Sequence, residues 1–183
     1  MGQYYLPVII DGSELILYNR DVDGQYGMAK LMEHSWINNP IVNKVCGHIY
    51  HHPCRIAWVG DYHEVEIPHI PITGNEAWER YDAESIELSA KPIKVDGKML
   101  VNHSKKLYVD FDEYIKTNTV QEWCVHPLSL LTACGNGAGG GDYYGCNEYD
   151  VGEWAGDLIS LEDNNWNIPA NYEAVEYEFK ERM

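Results

Sequence analysis

The sequence predicts an α+β fold, an antiparallel or mixed sheet built from hairpins with two adjacent helices, at about residues 28–37 and 40–51, packed on it. Three observations lead there. Strand-like runs come in pairs joined by tight-turn signals, as at Asp11-Gly12 and Ser104-Lys105-Lys106. Only two neighbouring segments show clear helical spacing of apolar residues. Strands do not alternate with helices, as a parallel doubly wound sheet would require. With 183 residues the chain has the length of one domain with a real core, and it is read as a single domain spanning 1–183.

Tyr4 to Ile10 is β-rich, and Asp11-Gly12 turns it into Leu15 to Tyr18. Asp21 to Gly27 reads as a loop. Met28, Leu31, Met32 and Trp36 share one face of the first helix. Asn39 followed by Pro40 is an N-cap with proline at the first helical position, and Ile41, Val42, Val45, Cys46 and Ile49 stripe the second helix. Arg55 to Val59 reads as a strand, and Asn75 as the cap of a short helix. Met99 to Asn102 and Leu107 to Phe111 form a second hairpin. Trp123 to Val125 and Leu158 to Leu161 read as strands, and Leu128 to Thr132 as a short buried turn. Tyr172 to Phe179 alternates, with Val175, Tyr177 and Phe179 on one face and Glu176 and Glu178 on the other.

Charge is the strongest compositional signal. Thirteen Lys and Arg oppose 29 Asp and Glu, for a net charge of −16. Between Lys116 and Lys180 there is no basic residue, and that span holds 11 acids. Such a surface repels nucleic acid and anionic membranes and attracts basic partners within a Debye length of about 8 Å. No direct nucleic-acid binding is therefore expected. No apolar run reaches the roughly 18–20 residues that cross a bilayer, and Met1 to Leu6 lacks the features of a signal peptide. Five irregularly spaced cysteines are then expected as reduced thiols, in a cytoplasmic setting. The aromatic set is 14 Tyr and 6 Trp against 2 Phe, types that serve cores and binding faces alike.

Four constellations bear on chemistry. Gly135-Asn136-Gly137-Ala138-Gly139-Gly140-Gly141-Asp142 contains the string G-x-G-x-x-G, but no helix pattern follows, no lysine accompanies it, and an acid stands where a phosphate would sit. It is read as a functional loop without a nucleotide. Cys46, His48, His51, His52 and Cys54 place five ligand-type residues in nine positions. The cluster is read as falling outside the usual paired zinc spacings, with its imidazoles placed by the negative end of the second helix. Asp61, Asp110, Asp112 and Asp142 stand near turns, Asp110 and Asp112 sharing a strand face, as in metal-dependent nucleases. Cys124 or Cys134 with His126 would be a nucleophile pair, but no signature surrounds them. No cofactor, metal or catalytic set is assigned.

Several strings resemble a family of small proteins of bacteria, their phages and mobile elements. These are Met1 to Tyr5, Lys30 to Trp36, Val101 to Asp110, His126 to Ala133, the glycine loop with Asp142-Tyr143, and Val151 to Ile159. The resemblance spans nearly the whole chain and is similar to a phage-encoded anti-CRISPR protein acting on the single-effector, RNA-guided nuclease of type II systems. It implies a bacterial host cell and supplies no catalytic residues. Relatives carry arginine near Ala138, Tyr144 and Gly156, and this chain does not. An RNA-guided nuclease holds its nucleic acids in positive channels. The reading is thus a non-enzymatic inhibitor that binds the guide-loaded nuclease and blocks DNA recognition or cleavage. Its expected contacts are Asp142, Tyr143, Tyr144, Glu148, Asp150 and Asp157. The alternatives are a metal-dependent enzyme of nucleic-acid or nucleotide metabolism, and a structural protein of a mobile element.

Overall fold

The computed structural model describes residues 1–18 and 29–180. The expected loop at Asp21–Gly27 and the helix start at Met28 lie outside the described residues. Strand β1 (Tyr5–Asp11) turns through Gly12 into β2 (Glu14–Leu17), with Asp11 opposite Glu14. β1 also pairs antiparallel with β3 (Cys54–Gly60), Leu6 facing Val59 and Ile10 facing Arg55. The far edge of β3 is shared. Its first residues pair with β7 (Leu158–Asp163), and Trp58 and Val59 pair in parallel with the short β6 (Ala133–Cys134). Beyond β7 lie β4 (Lys98–Asn102), β5 (Leu107–Asp110) and β8 (Glu173–Ala174), the last parallel to β5. The order is β2-β1-β3-β7-β4-β5-β8, a mixed sheet that is mostly antiparallel, in an α+β fold as expected.

The period of two explains why β1 and β3 are apolar almost throughout. Tyr5, Ile9, Ile56 and Trp58 point into the larger core. Leu6, Val8, Ala57 and Val59 point to the other face. There α3 (Gly74–Glu84) and the segment Ile67–Ile72 cover them, with Ala77, Trp78 and Tyr81 packed inward. Helix α3 is capped by Thr73, whose hydroxyl accepts from the Glu76 amide while Glu76 reaches back to the Thr73 amide. The expected cap, Asn75, is instead inside the helix.

On the larger face, α2 (Pro40–His48) begins as its sequence specifies. The Asn39 side chain accepts from the Ile41 and Val42 amides, and Val42, Val45 and Cys46 are buried. The first expected helix shrinks to α1 (Leu31–His34). Ser35 leaves helical geometry, Trp36 pairs with Val125 instead, and Asn38 takes a left-handed conformation that sets up the cap at Asn39. α2 stops at His48 rather than 51 because Ile49 caps it and His51 turns left-handed.

Two further expectations are corrected. Asp110-Phe111-Asp112 is a helix start, not a strand: Asp110 accepts from the Asp112 and Glu113 amides and caps α4 (Phe111–Asn118). Trp123–Val125 forms only isolated bridges, since Gln121 and Glu122 are both left-handed and break the ladder. The alternation of Tyr172–Phe179 is real, with Tyr177 and Phe179 buried and Glu176 and Glu178 exposed, yet only Glu173–Ala174 pairs as strand. Beyond it Asn118 replaces a neighbouring strand. Its Nδ2 donates to Tyr177 O (2.9 Å), and its Oδ1 accepts from Phe179 N (2.7 Å).

His126 caps α5 (Pro127–Leu131) from within the core, its Nδ1 accepting from the Leu128 amide at 3.1 Å. That bond puts the ring proton on Nε2, 3.7 Å from the Cys46 sulfur. Complete burial pushes the imidazole down to about 3, so it stays neutral when folded. The unfolded chain binds a proton near pH 6.5 that the folded chain refuses. Its stabilising contribution is therefore complete above pH 6.5 and is lost as pH falls toward about 3. Between pH 7.5 and 5.5, His126 should cost about 1.4 kcal/mol of unfolding free energy. Urea unfolding should show this loss in the native protein and lack it in His126→Asn, which keeps a capping acceptor. An equal loss in both would refute the assignment.

Candidate functional site

The loop that follows β6 is organised by a carboxylate of its own. Asp142 is buried. Its Oδ2 accepts from the Gly137 amide at 2.7 Å and the Gly139 amide at 3.0 Å. Its Oδ1 accepts from the Tyr5 hydroxyl at 3.0 Å. Successive amides turned inward make an anion cradle, and here the anion is internal. The glycine string thus resembles a phosphate loop in composition while its cradle is already filled. Gly137 is left-handed, and a Cβ at Gly139 would run into Gln3, so glycine is needed at both. Asn136 closes the base of the loop, donating to Tyr143 O at 3.2 Å and accepting from Tyr143 N at 2.8 Å. Gly140 ties the loop to the N-terminus, its carbonyl accepting from Gln3 N and its amide donating to Met1 O. Burial, then Asp142, holds the Tyr5 phenol well above its usual range, so it remains a donor.

Three of the six expected contact residues therefore face inward. Asp142 is committed to the cradle. Tyr143 is buried edge-to-face on Phe179, with its hydroxyl donating to Lys180 O. Asp157 is buried and accepts from Asn102 Nδ2 at 2.8 Å, with the Lys105 ammonium 3.0 Å away. Lys105 also donates to the Glu153 carbonyl, which brings a cation to the base-free stretch from outside it.

The other three stand at the surface. Tyr144 is 62% exposed, its hydroxyl resting on Gly139 O. Glu148 is exposed and Asp150 half-buried on a 3-10 turn, Glu148–Asp150. Burial, then Glu153, raises the Asp150 carboxyl above its usual range. Between them Tyr149 is 92% exposed. Glu153 is exposed too and accepts from the Tyr177 hydroxyl at 3.0 Å. Tyr149 and Glu153 both fall within the acid- and aromatic-rich 142–163 segment expected to make contact, though neither is singled out there. A cleft of about 280 Å³, lined by Asn136, Gly137, Tyr143, Tyr144 and Glu148, opens beside this surface.

The remaining constellations separate. Asp61 accepts from the Tyr4 amide, Asp110 caps α4, and Asp112 accepts from Gly97 N and Asn164 Nδ2. They form no converging carboxylate set. Cys124 is pushed up to about 11 by burial, and His126 meets Cys46 rather than Cys124 or Cys134. The five cysteines are free.

The His/Cys segment divides around its left-handed residue, His51. His51 turns to Glu162 (2.5 Å) and Asp163 (3.3 Å) on β7. His48 and His52 turn the other way, to Asp11 at the end of β1, with Cys54 beside them. His48 and His52 stand at the H-x₃-H spacing of zinc sites, which corrects the reading that the segment falls outside the paired spacings, and the antiparallel register carries Asp11 toward Cys54. Among the described residues no helix is long and apolar enough to cross a membrane.

Asp142→Asn would remove the charge from the cradle and put an NH₂ donor in place of one of the carboxylate's two acceptor oxygens. We expect a loss of about 2–3 kcal/mol of unfolding free energy, with faster hydrogen exchange at Gly137 and Gly139. Unchanged stability and exchange would show that the carboxylate does not organise the loop. Compared with known proteins, the chain matches no family model, no curated protein and no solved structure.

Proposed function

We propose that this chain is a non-enzymatic binding protein that docks on a basic partner. The contact surface would be Tyr144, Glu148, Tyr149, Asp150 and Glu153. The observation that carries the reading is Tyr149, a large aromatic 92% exposed on a short turn with acids on both sides. Exposed tyrosine offers a large contact area at small entropic cost, and interface hot spots are rich in it. Acids around it steer a basic partner and set orientation more than they add affinity. The neighbouring glycine loop is held by Asp142, and the segment after the turn is tied to α5 through Gly152 N to Leu130 O and Trp154 N to Leu131 O, which limits the entropy lost on docking.

The partner is a guide-loaded type II RNA-guided nuclease in a bacterial cell. The resemblance of the Lys30–Trp36, Val101–Asp110 and Val151–Ile159 strings to mobile-element proteins supports this choice. So does the match between a charge of −16 and channels built to hold nucleic acid. The inhibitor would compete with DNA for such a channel without touching nucleic acid itself. A metal-dependent enzyme using acids beside the loop is disfavoured, because Asp61 and Asp142 accept hydrogen bonds within the fold.

Sizing chromatography and target-DNA cleavage test the proposal together. The native protein should co-elute with the nuclease and suppress cleavage near equimolar ratio. Tyr149→Ala should weaken binding by roughly thirtyfold, the size of a hot-spot truncation. Glu148→Lys with Asp150→Lys should slow association about tenfold at low salt and less at high salt. Normal cleavage and no complex with several such nucleases would overturn the partner. Binding untouched by all three substitutions would overturn the surface.

A further inference from the structure

Four side chains with metal-ligand chemistry meet at the edge where β1 ends, α2 ends and β3 begins. Asp11 Oδ2 lies 3.1 Å from His48 Nε2, and Asp11 Oδ1 lies 2.7 Å from His52 Nε2. The donor atoms of Asp11, His48 and Cys54 all fall within 4.8 Å of one another. Cys54 is fully buried, and its Sγ is 3.6 Å from the His52 carbonyl. The His48 and His52 rings stand edge-to-face, at 86°. His48 Nε2 is sealed from solvent and makes no hydrogen bond, although Asp11 Oδ2 lies 3.1 Å away. A buried ring nitrogen in that state has an unused ligand position.

We infer that Asp11, His48, His52 and Cys54 form a binding site for a divalent transition-metal ion of the zinc type. Two imidazoles, a thiolate and a carboxylate make an N₂SO donor set, which suits borderline-soft cations and not calcium or magnesium. Bond lengths of about 2.0–2.3 Å in a tetrahedron put ligand atoms roughly 3.3–3.8 Å apart. Asp11, His48 and Cys54 already lie within 4.8 Å of one another, and His52, 2.7 Å from Asp11, stands outside that group and must swing in to complete the coordination. Binding releases the Cys54 proton to solvent and takes both imidazoles as neutral ligands. The ligands come from three elements, so the ion would fasten the β1–β2 hairpin to the α2–β3 turn. The left-handed backbone at His51 is what aims His52 at Asp11 rather than at β7. This inference is independent of the binding surface around Tyr149.

Cobalt substitution tests it on the intact protein. After chelation and dialysis, Co²⁺ should bind one equivalent per chain. It should give the visible bands of tetrahedral cobalt and a near-ultraviolet thiolate charge-transfer band, both displaced by Zn²⁺. Cys54→Ser should abolish the charge-transfer band. His52→Ala, at a half-exposed position, should weaken Co²⁺ binding at least tenfold with the far-ultraviolet circular dichroism unchanged. Cys146→Ser, away from the site, should leave the spectrum as it is. Zn²⁺ at a hundredfold excess over its dissociation constant should raise the melting midpoint by roughly 5–10 °C. An octahedral cobalt spectrum, or tetrahedral bands that persist in both Cys54→Ser and His52→Ala, would overturn the site.

Discussion

The contact on which the loop region depends is the one between the Asp142 carboxylate and the Tyr5 hydroxyl. Tyr5 opens β1, and β1 lies between β2 and β3 in the sheet. Asp142 gathers the glycine amides at 2.7 and 3.0 Å with its other oxygen. One buried charge therefore joins the first strand to a loop more than a hundred residues away. A buried carboxylate is tolerable only when its lone pairs are satisfied, and this one has three donors. The turn from Gly137 to Asp142 follows from that requirement, and Asn136 and Gly140 tie its two ends to Tyr143 and the N-terminus.

The same constraint separates scaffold from surface in the acid-rich stretch. Asp142 and Asp157 act internally, each answered by donors or by Lys105. Glu148 and Tyr149 have no such duty in the core and project from a short 3-10 turn, while Glu153 beside them accepts from the buried Tyr177 hydroxyl. Strong negative charge has a cost in self-repulsion. The fold limits it by bringing Lys105 from the β4–β5 hairpin to Asp157.

Much of the fold was legible because local chemistry and tertiary structure agree. Asn39-Pro40 starts a helix, Asp11-Gly12 turns a hairpin, and the 104–106 segment turns another. Legibility failed where a side chain replaces a backbone partner. Tyr177 and Phe179 alternate like a strand, but Asn118 supplies their hydrogen bonds. It failed again where caps and strands share residue types, as at Asp110, which ends one element by starting the next. For the candidate site, composition identified the segment but not which acids face out. Asp142 and Glu148 look alike in sequence, and only the tertiary position of Tyr5 decides that the first is buried. The cluster around Asp11 was hidden for a related reason. Its fourth ligand arrives through strand register, which no local spacing reveals.

In the proposed function, a loop organised by Asp142 lies beside the surface around Tyr149 that meets a basic partner. Hydrogen exchange of the protein, alone and with the guide-loaded nuclease, reads this directly. New protection should be confined to about residues 144–153, while Gly137 and Gly139 are slow to exchange in both states. Protection appearing on another face, or slow exchange at Gly137 and Gly139 only after the partner is added, would contradict it.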